Sequence, residues 1–178
     1  GSCTDTFGIS SVYHTFGAVA CRSLEAECHY LGWSGRGVLV NRDGTTGDRL
    51  LPGIWERTLG SLPNGEDPWR EDKWIPDAVV LNIGWAEGGR SGTDLTAFKN
   101  SLKGFAQQLR QAYNQAKPNL KIYLTCGPAD VGGTGVSNYC AFLEDAVTEV
   151  YEEMMYMRTR EEEMRDTNGM ACGLLRAR

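Results

Sequence analysis

Two glycine-punctuated stretches carry the residue types that could do chemistry. The first, Trp33-Ser34-Gly35-Arg36-Gly37-Val38, sets two glycines either side of one arginine. Backbone without a side chain can approach a ligand closely and offer it an N–H group. Gly35 is therefore a candidate donor, with Trp33 and Arg36 as candidate ligand contacts, although the same residues read equally as an ordinary glycine turn. The second stretch, Gly84-Trp85-Ala86-Glu87, follows an apolar run and adds Gly84, Trp85 and Glu87 to the candidates. A carboxyl within hydrogen-bond reach of a hydroxyl or thiol can serve as its general base. Ser34 or Cys3 as nucleophile, with Glu87 as base, is the pairing those residue types allow. The two histidines, His14 and His29, both lie early in the chain, and His29 precedes the first stretch closely.

The elements that must position these groups are legible in the apolar spacing. Ala78 to Ile83 is a β-rich apolar run that follows a proline and stops at Gly84, and it reads as a strand of a parallel sheet buried on both faces. In an open α/β sheet, ligands sit beyond the carboxyl ends of such strands, which places Gly84 to Glu87 where a ligand would be expected. Leu95, Phe98, Leu102, Phe105, Leu109 and Tyr113 then recur at three- and four-residue spacing and predict a helix capped by Thr93 or Asp94. Lys117-Pro118-Asn119 ends it, and Leu120 to Thr125 supplies the next strand.

Upstream, Val12, Phe16, Val19, Ala20 and Leu24 predict a helix over 11–27 with one buried face, followed by a short strand over 28–33. Residues 41–76 form a long irregular crossover holding Trp55, Trp69 and Trp74. Long structureless segments tend to be functional, and these rings could either stack on sugars or cover the edge of the core. Beyond Cys126 come a Gly-rich loop to about Ser137 and a helix from about Asn138 burying Phe142, Ala146, Val150 and Met154. The expected organisation is one α/β domain over 1–156, with a charged helix end and tail over 157–178.

A chain of 178 residues, 41% hydrophobic, can bury one sizeable core. Its net charge of −5 argues against nucleic acid or an anionic membrane as partner. The six cysteines show no metal spacing. Cys21 and Cys28 are either buried thiols or a pair, Cys126 and Cys140 flank a loop that a bridge could close, and disulfides would fit a secreted origin. No metal or cofactor is expected.

The blocks SSVYHTFGAVACRSLEAECHYLGWSGRGV, LPGIWERTL, KWIPDAVVLNIG and FAQQLRQAYNQAKPNLKIYLTCGP together resemble the SGNH (GDSL-type) hydrolases. Among these the chain is most similar to carbohydrate esterase family 2, whose members remove acetyl groups from xylan and related polysaccharides. The resemblance covers roughly residues 11–150. It implies a three-layer, flavodoxin-like α/β fold with a central parallel sheet, and a Ser nucleophile activated by His. It also implies an oxyanion hole built from the Ser N–H, a Gly N–H and an Asn side chain. Gly35 and Gly84 match two positions of that region.

The departures set the functional expectation. Where the family reads Gly-Thr-Asn-Asp, this chain has Gly84-Trp85-Ala86-Glu87, and a methyl group at the Asn position donates nothing. Loss of one such donor costs about 10²- to 10³-fold in rate. The family's Gly-Asp-Ser block and its Asp-x-x-His segment have no match here, and Cys172 is followed by no His. The expectation is an SGNH domain lacking its first strand and C-terminal end. It would be an esterase-like protein for acetylated polysaccharide with little or no activity. The alternative is a non-catalytic carbohydrate-binding relative that uses the same cleft through Trp33, Trp85 and the crossover tryptophans.

Overall fold

A computed structural model describes residues 11–47, 49–63, 66, 68–88, 92–125, 144, 147 and 148. They belong to two units, one ending at Gly32 and the other beginning at Trp33.

In the first unit the expected helix over 11–27 is broken and shorter. A 3-10 turn, Val12–His14, precedes helix α1, Phe16–Ser23. Thr15 lies between them in an extended conformation and caps α1, its hydroxyl accepting from Ala18 N–H at 3.3 Å. The helix stops where Glu25 takes φ +51° and Ala26 N–H turns back to Cys21 C=O at 2.9 Å. Cys21 and Cys28 are joined by a disulfide, their Cα atoms 6.3 Å apart, so the paired alternative holds. The expected buried face is not formed: only Ala18 is buried, whereas Val12, Phe16, Val19 and Leu24 are exposed. One short helix offers no second layer against which to close that face. Nor do residues 28–32 form a strand, because a strand needs a neighbour to pair with and the described residues of this unit supply none.

The second unit is built on two parallel strands, β1, Ala78–Asn82, and β2, Lys121–Thr125. They pair from Ala78 opposite Lys121 to Asn82 opposite Thr125. Parallel neighbours require a crossover, and helix α4, Leu95–Tyr113, provides it. Asp94, rather than Thr93, is its cap, accepting from Ala97 N–H at 3.1 Å. Phe98, Leu102, Phe105 and Leu109 form the buried stripe of α4 and pack with Val38, Leu81 and Ile83, while Val79, Ile122 and Leu124 adjoin this core. The fold is therefore α/β with a parallel sheet, as expected.

The burial of β1 corrects the sequence reading. Instead of being covered on both faces, the strand alternates: Leu81 is buried and Val79 half-buried, but Val80 is 56% exposed. Helix α4 covers one face of the pair, and period-2 geometry sends Ala78, Val80 and Asn82 to the other.

The crossover over 41–76 is irregular apart from helix α2, Leu51–Ile54, and a 3-10 turn, Glu71–Lys73. Arg57 ties it together from inside. Its buried guanidinium donates to the carbonyls of Gly53 at 3.0 Å, Gly60 at 3.3 Å and Leu62 at 2.6 Å. The loop and helix expected beyond Cys126, the proposed Cys126–Cys140 bridge, Cys172 and the tail over 157–178 lie outside the described residues, as does Cys3. Val147, which is described, packs on the core.

Candidate functional site

The turn that follows β1 folds as one helical turn, α3, Trp85–Gly88. Gly84 makes the change of direction at φ +95°, and its carbonyl accepts from Gly88 N–H at 2.8 Å. The carbonyl of Glu87 accepts from the Thr93 hydroxyl at 2.7 Å, which fixes the approach to α4.

Glu87 is the pivot of the site, in a role its sequence position did not suggest. It is fully buried. Its Oε1 accepts from Val38 N–H at 2.6 Å and from Leu39 N–H at 2.9 Å. Oε2 is buried and has no hydrogen-bond partner among the described residues. Glu87 was expected to contact a substrate, or to act as base for Ser34, and among the described residues no hydrogen bond joins it to Ser34. Its one partnered oxygen is spent on backbone donors, and neither oxygen holds the Ser34 hydroxyl. What Glu87 does is fasten the Gly35–Leu39 segment to the carboxyl end of β1.

Gly37 explains why this fastening is close. A Cβ there would lie 2.3 Å from Glu87 Oε1 and 2.2 Å from the Val40 carbonyl oxygen. The position needs glycine for space rather than for an unusual backbone angle. The rest of the loop is held by Asn41, also fully buried. Its Oδ1 accepts from Gly37 N–H at 3.1 Å and its Nδ2 donates to Thr45 Oγ1 at 3.0 Å. Asn41 was missed in the sequence, where Asn41-Arg42-Asp43-Gly44-Thr45 carried a turn signal. Asp43 completes this turn, accepting from Thr45 N–H at 2.9 Å and Thr45 Oγ1 at 2.6 Å. The Thr45 hydroxyl bond, more than any other influence, holds the Asp43 carboxyl below its usual range.

Held this way, Gly35 adopts φ +76°, a conformation natural to glycine. Its carbonyl accepts from Arg42 N–H at 2.8 Å. Its own N–H has no hydrogen-bond partner among the described residues. Trp33 and Trp85 are both half-buried. The Arg36 guanidinium lies over the Trp33 ring at 4.5 Å and that of Arg42 over the Trp85 ring at 4.0 Å. Ala86 is buried, and its methyl brings no donor. Ser34 is exposed.

The structure thus brings together Trp33, Gly35, Arg36, Gly84, Trp85 and Glu87. His29 belongs to the other unit, where it is exposed and sits 3.6 Å from Glu27. Trp55 packs on the core near Tyr113, with ring centroids 6.3 Å apart, so it covers the core edge. Trp69 and Trp74 are half-buried in the crossover. Among the described residues, no His, Cys, Asp and Glu side chains cluster as metal ligands would, and no helix is long and apolar enough to cross a membrane.

No protein-family model matches the chain. The cellulase/esterase CelE of Acetivibrio thermocellus is 28% identical over 137 residues, which is 77% of this chain and 16% of that protein. The acetylxylan esterase / glucomannan deacetylase of Cellvibrio japonicus is 27% identical over 103 residues, 57% of this chain and 28% of that protein. Among solved structures, a family two carbohydrate esterase from Clostridium thermocellum in complex with cellohexaose superposes with a TM-score of 0.65. It is 26% identical and covers 79% of this chain and 41% of that one. The chain spans well under half the length of these relatives. In sequence and in its α/β fold, the chain is similar to the family two carbohydrate esterases, and an SGNH-type framework fits that similarity.

Proposed function

We propose that this chain acts in the hydrolysis of esters on acetylated polysaccharide, with the Gly35–Leu39 loop as the wall that receives the acyl oxygen. One observation carries the reading. The Gly35 N–H stands at φ +76° without a partner among the described residues, on a loop that Glu87 fixes from beneath. A rigid backbone donor aimed at a developing oxyanion is the part of ester hydrolysis that a loop of this kind can supply. The relatives named above support the carbohydrate as the alcohol part of the ester.

A second reading has its own observation. By the resemblance, Ala86 stands where the family has its oxyanion Asn, and its side chain is a methyl with nothing to donate. This favours a relative that binds carbohydrate in the same cleft and does not turn it over.

The test is acetate release from 4-nitrophenyl acetate and from an acetylated xylo-oligosaccharide, with oligosaccharide binding measured in parallel. Release above the buffer background, reduced by Gly35→Ala, is the expected result for an esterase. Background release with oligosaccharide binding intact replaces it with the binding reading. Absence of both overturns the two together.

A further inference from the structure

We propose that Asn41 and Glu87 are positioning residues for the Gly35 donor, acting through the peptide N–H groups that follow it in the same loop. The inference rests on the ester-hydrolysis reading above and names the residues that give its oxyanion donor a fixed direction.

The backbone of this loop can be accounted for donor by donor. Arg36 N–H donates to the Trp33 carbonyl at 3.2 Å, Gly37 N–H to Asn41 Oδ1 at 3.1 Å, Val38 N–H to Glu87 Oε1 at 2.6 Å and Leu39 N–H to the same oxygen at 2.9 Å. Four successive donors are engaged, and the Gly35 N–H just ahead of them has no partner among the described residues. The first of these bonds closes a four-residue turn with Gly35 in its third place at φ +76°, the type II arrangement that favours glycine there.

The acceptors for Gly37, Val38 and Leu39 are side chains, where a sheet would have used backbone carbonyls. The path of the loop therefore depends on how far two side chains reach. Both are fully buried, and a buried donor that loses its acceptor is not cheaply satisfied by water. Asn41 is itself held from two sides, its Nδ2 donating to Thr45 Oγ1 at 3.0 Å and its N–H to the Thr45 carbonyl at 2.9 Å. Glu87 serves the loop through Oε1 alone, and its carboxyl lies so near Gly37 that a Cβ there would stand 2.8 Å from Cδ.

Reach and one accepting oxygen are thus what Glu87 contributes. Glu87→Asp, shorter by one methylene, draws that oxygen back by about 1.5 Å and takes both bonds out of range. Glu87→Gln keeps the reach and an oxygen that accepts from both donors. A backbone donor stabilises an oxyanion to the extent that it is already aimed, so the two variants should differ at Gly35 although neither touches it.

The experiment is proton–nitrogen correlation NMR of the full chain, following the Gly35 amide during titration with methylphosphonate, a tetrahedral anion that carries one methyl group. In the unaltered chain the Gly35 proton is expected to move downfield and saturate. Glu87→Asp and Asn41→Ala should each weaken this binding about tenfold, the worth of one hydrogen bond to an anion, whereas Glu87→Gln and Asn41→Asp, which keep the accepting oxygens, should stay within about twofold. The amides of Leu102 and Phe105 check that each variant keeps its core. Exchange with solvent needs no variant: the Gly37, Val38 and Leu39 amides should exchange about tenfold or more slowly than that of Gly35. Equal exchange along the loop overturns the inference even where a variant fails to fold. Binding unchanged in both Glu87→Asp and Asn41→Ala overturns the positioning role and leaves the Gly35 reading standing. Equal loss in Glu87→Asp and Glu87→Gln also overturns it, because the reach of the acceptor would not be what aims the donor. A Gly35 proton that does not move in the unaltered chain removes the oxyanion reading itself, and this inference with it.

Discussion

Helices α1 and α4 are held in opposite ways. Helix α4 buries Phe98, Leu102, Phe105, Ala106, Leu109 and Tyr113 along one stripe. Helix α1 buries Ala18 alone and is closed by local devices: the Thr15 cap, the Cys21–Cys28 disulfide, and Arg22, which donates to the Tyr13 carbonyl at 2.8 Å and lies over the Tyr13 ring. Most helical stability in proteins comes from packing an apolar face, and α4 has that support. Helix α1 substitutes covalent and hydrogen-bonded closure within eighteen residues or so of chain. Stability in the second unit is therefore cooperative and centred on α4, whereas in the first it is local.

This contrast can be broken most forcefully at Phe98, which is fully buried. Phe98→Ala should cost about 3–5 kcal/mol, because a large cavity opens among side chains that cannot all collapse into it. Urea unfolding followed by tryptophan emission measures this, and a cost below about 1 kcal/mol would mean that α4 is not the centre of the core.

Next in size is Glu87→Ala. It strands the N–H groups of Val38 and Leu39 beneath the loop, a loss of about 2–3 kcal/mol. Glu87→Gln should do much better, since its amide oxygen can accept from both donors. If Ala and Gln are equally damaging, the two hydrogen bonds are not what fixes the loop.

Replacing Cys21 and Cys28 with Ser should have a smaller and local effect. Helix α1 frays, which circular dichroism and proteolysis at 11–32 would register, while the unfolding midpoint of the second unit stays where it was. A shift of that midpoint would break the separation drawn above.

The least effect belongs to the exposed pair of Asp77 and Lys117, which joins the start of β1 to the residues after α4. The Lys117 hydrogen bond holds the Asp77 carboxyl below the usual carboxylate range. A group depressed on folding contributes stability above its unfolded pKa and loses it as pH falls through the folded one. Asp77→Asn should therefore flatten the dependence of the unfolding midpoint on the acid side of about pH 4 and leave neutral pH nearly unchanged.

What was legible in the sequence follows the same division. Where spacing and packing agree, as in Leu95 to Tyr113 and Lys121 to Thr125, the elements lie where the pattern places them. Phe16, Val19 and Leu24 follow a helical spacing too, but spacing shows only which residues share a face and not whether anything covers it. The same gap explains Val80, whose neighbours in an apolar run suggested burial on both sides. Gly35, Gly84, Trp33, Arg36 and Trp85 were singled out from residue type, and the structure sets Gly35 and Gly84 at positive φ in turns that carry the other three. The hydrogen bonds of Glu87 to Val38 and Leu39 N–H were not legible, because a carboxyl pointing at a ligand and one pointing at a backbone look alike in sequence. Gly37, which faces it, was the available sign.

That grip has a kinetic consequence. The bonds from Val38 and Leu39 to Glu87 span 49 and 48 residues. Contacts this distant are paid for in loop-closure entropy before they return anything. The Gly35–Leu39 loop can take its shape only after β1 and its following turn stand in place against α4. The order of folding thus makes this loop, although it comes earlier in the chain, among the last parts of the second unit to assemble, and a refolding experiment should find the core formed before the ligand end is ready.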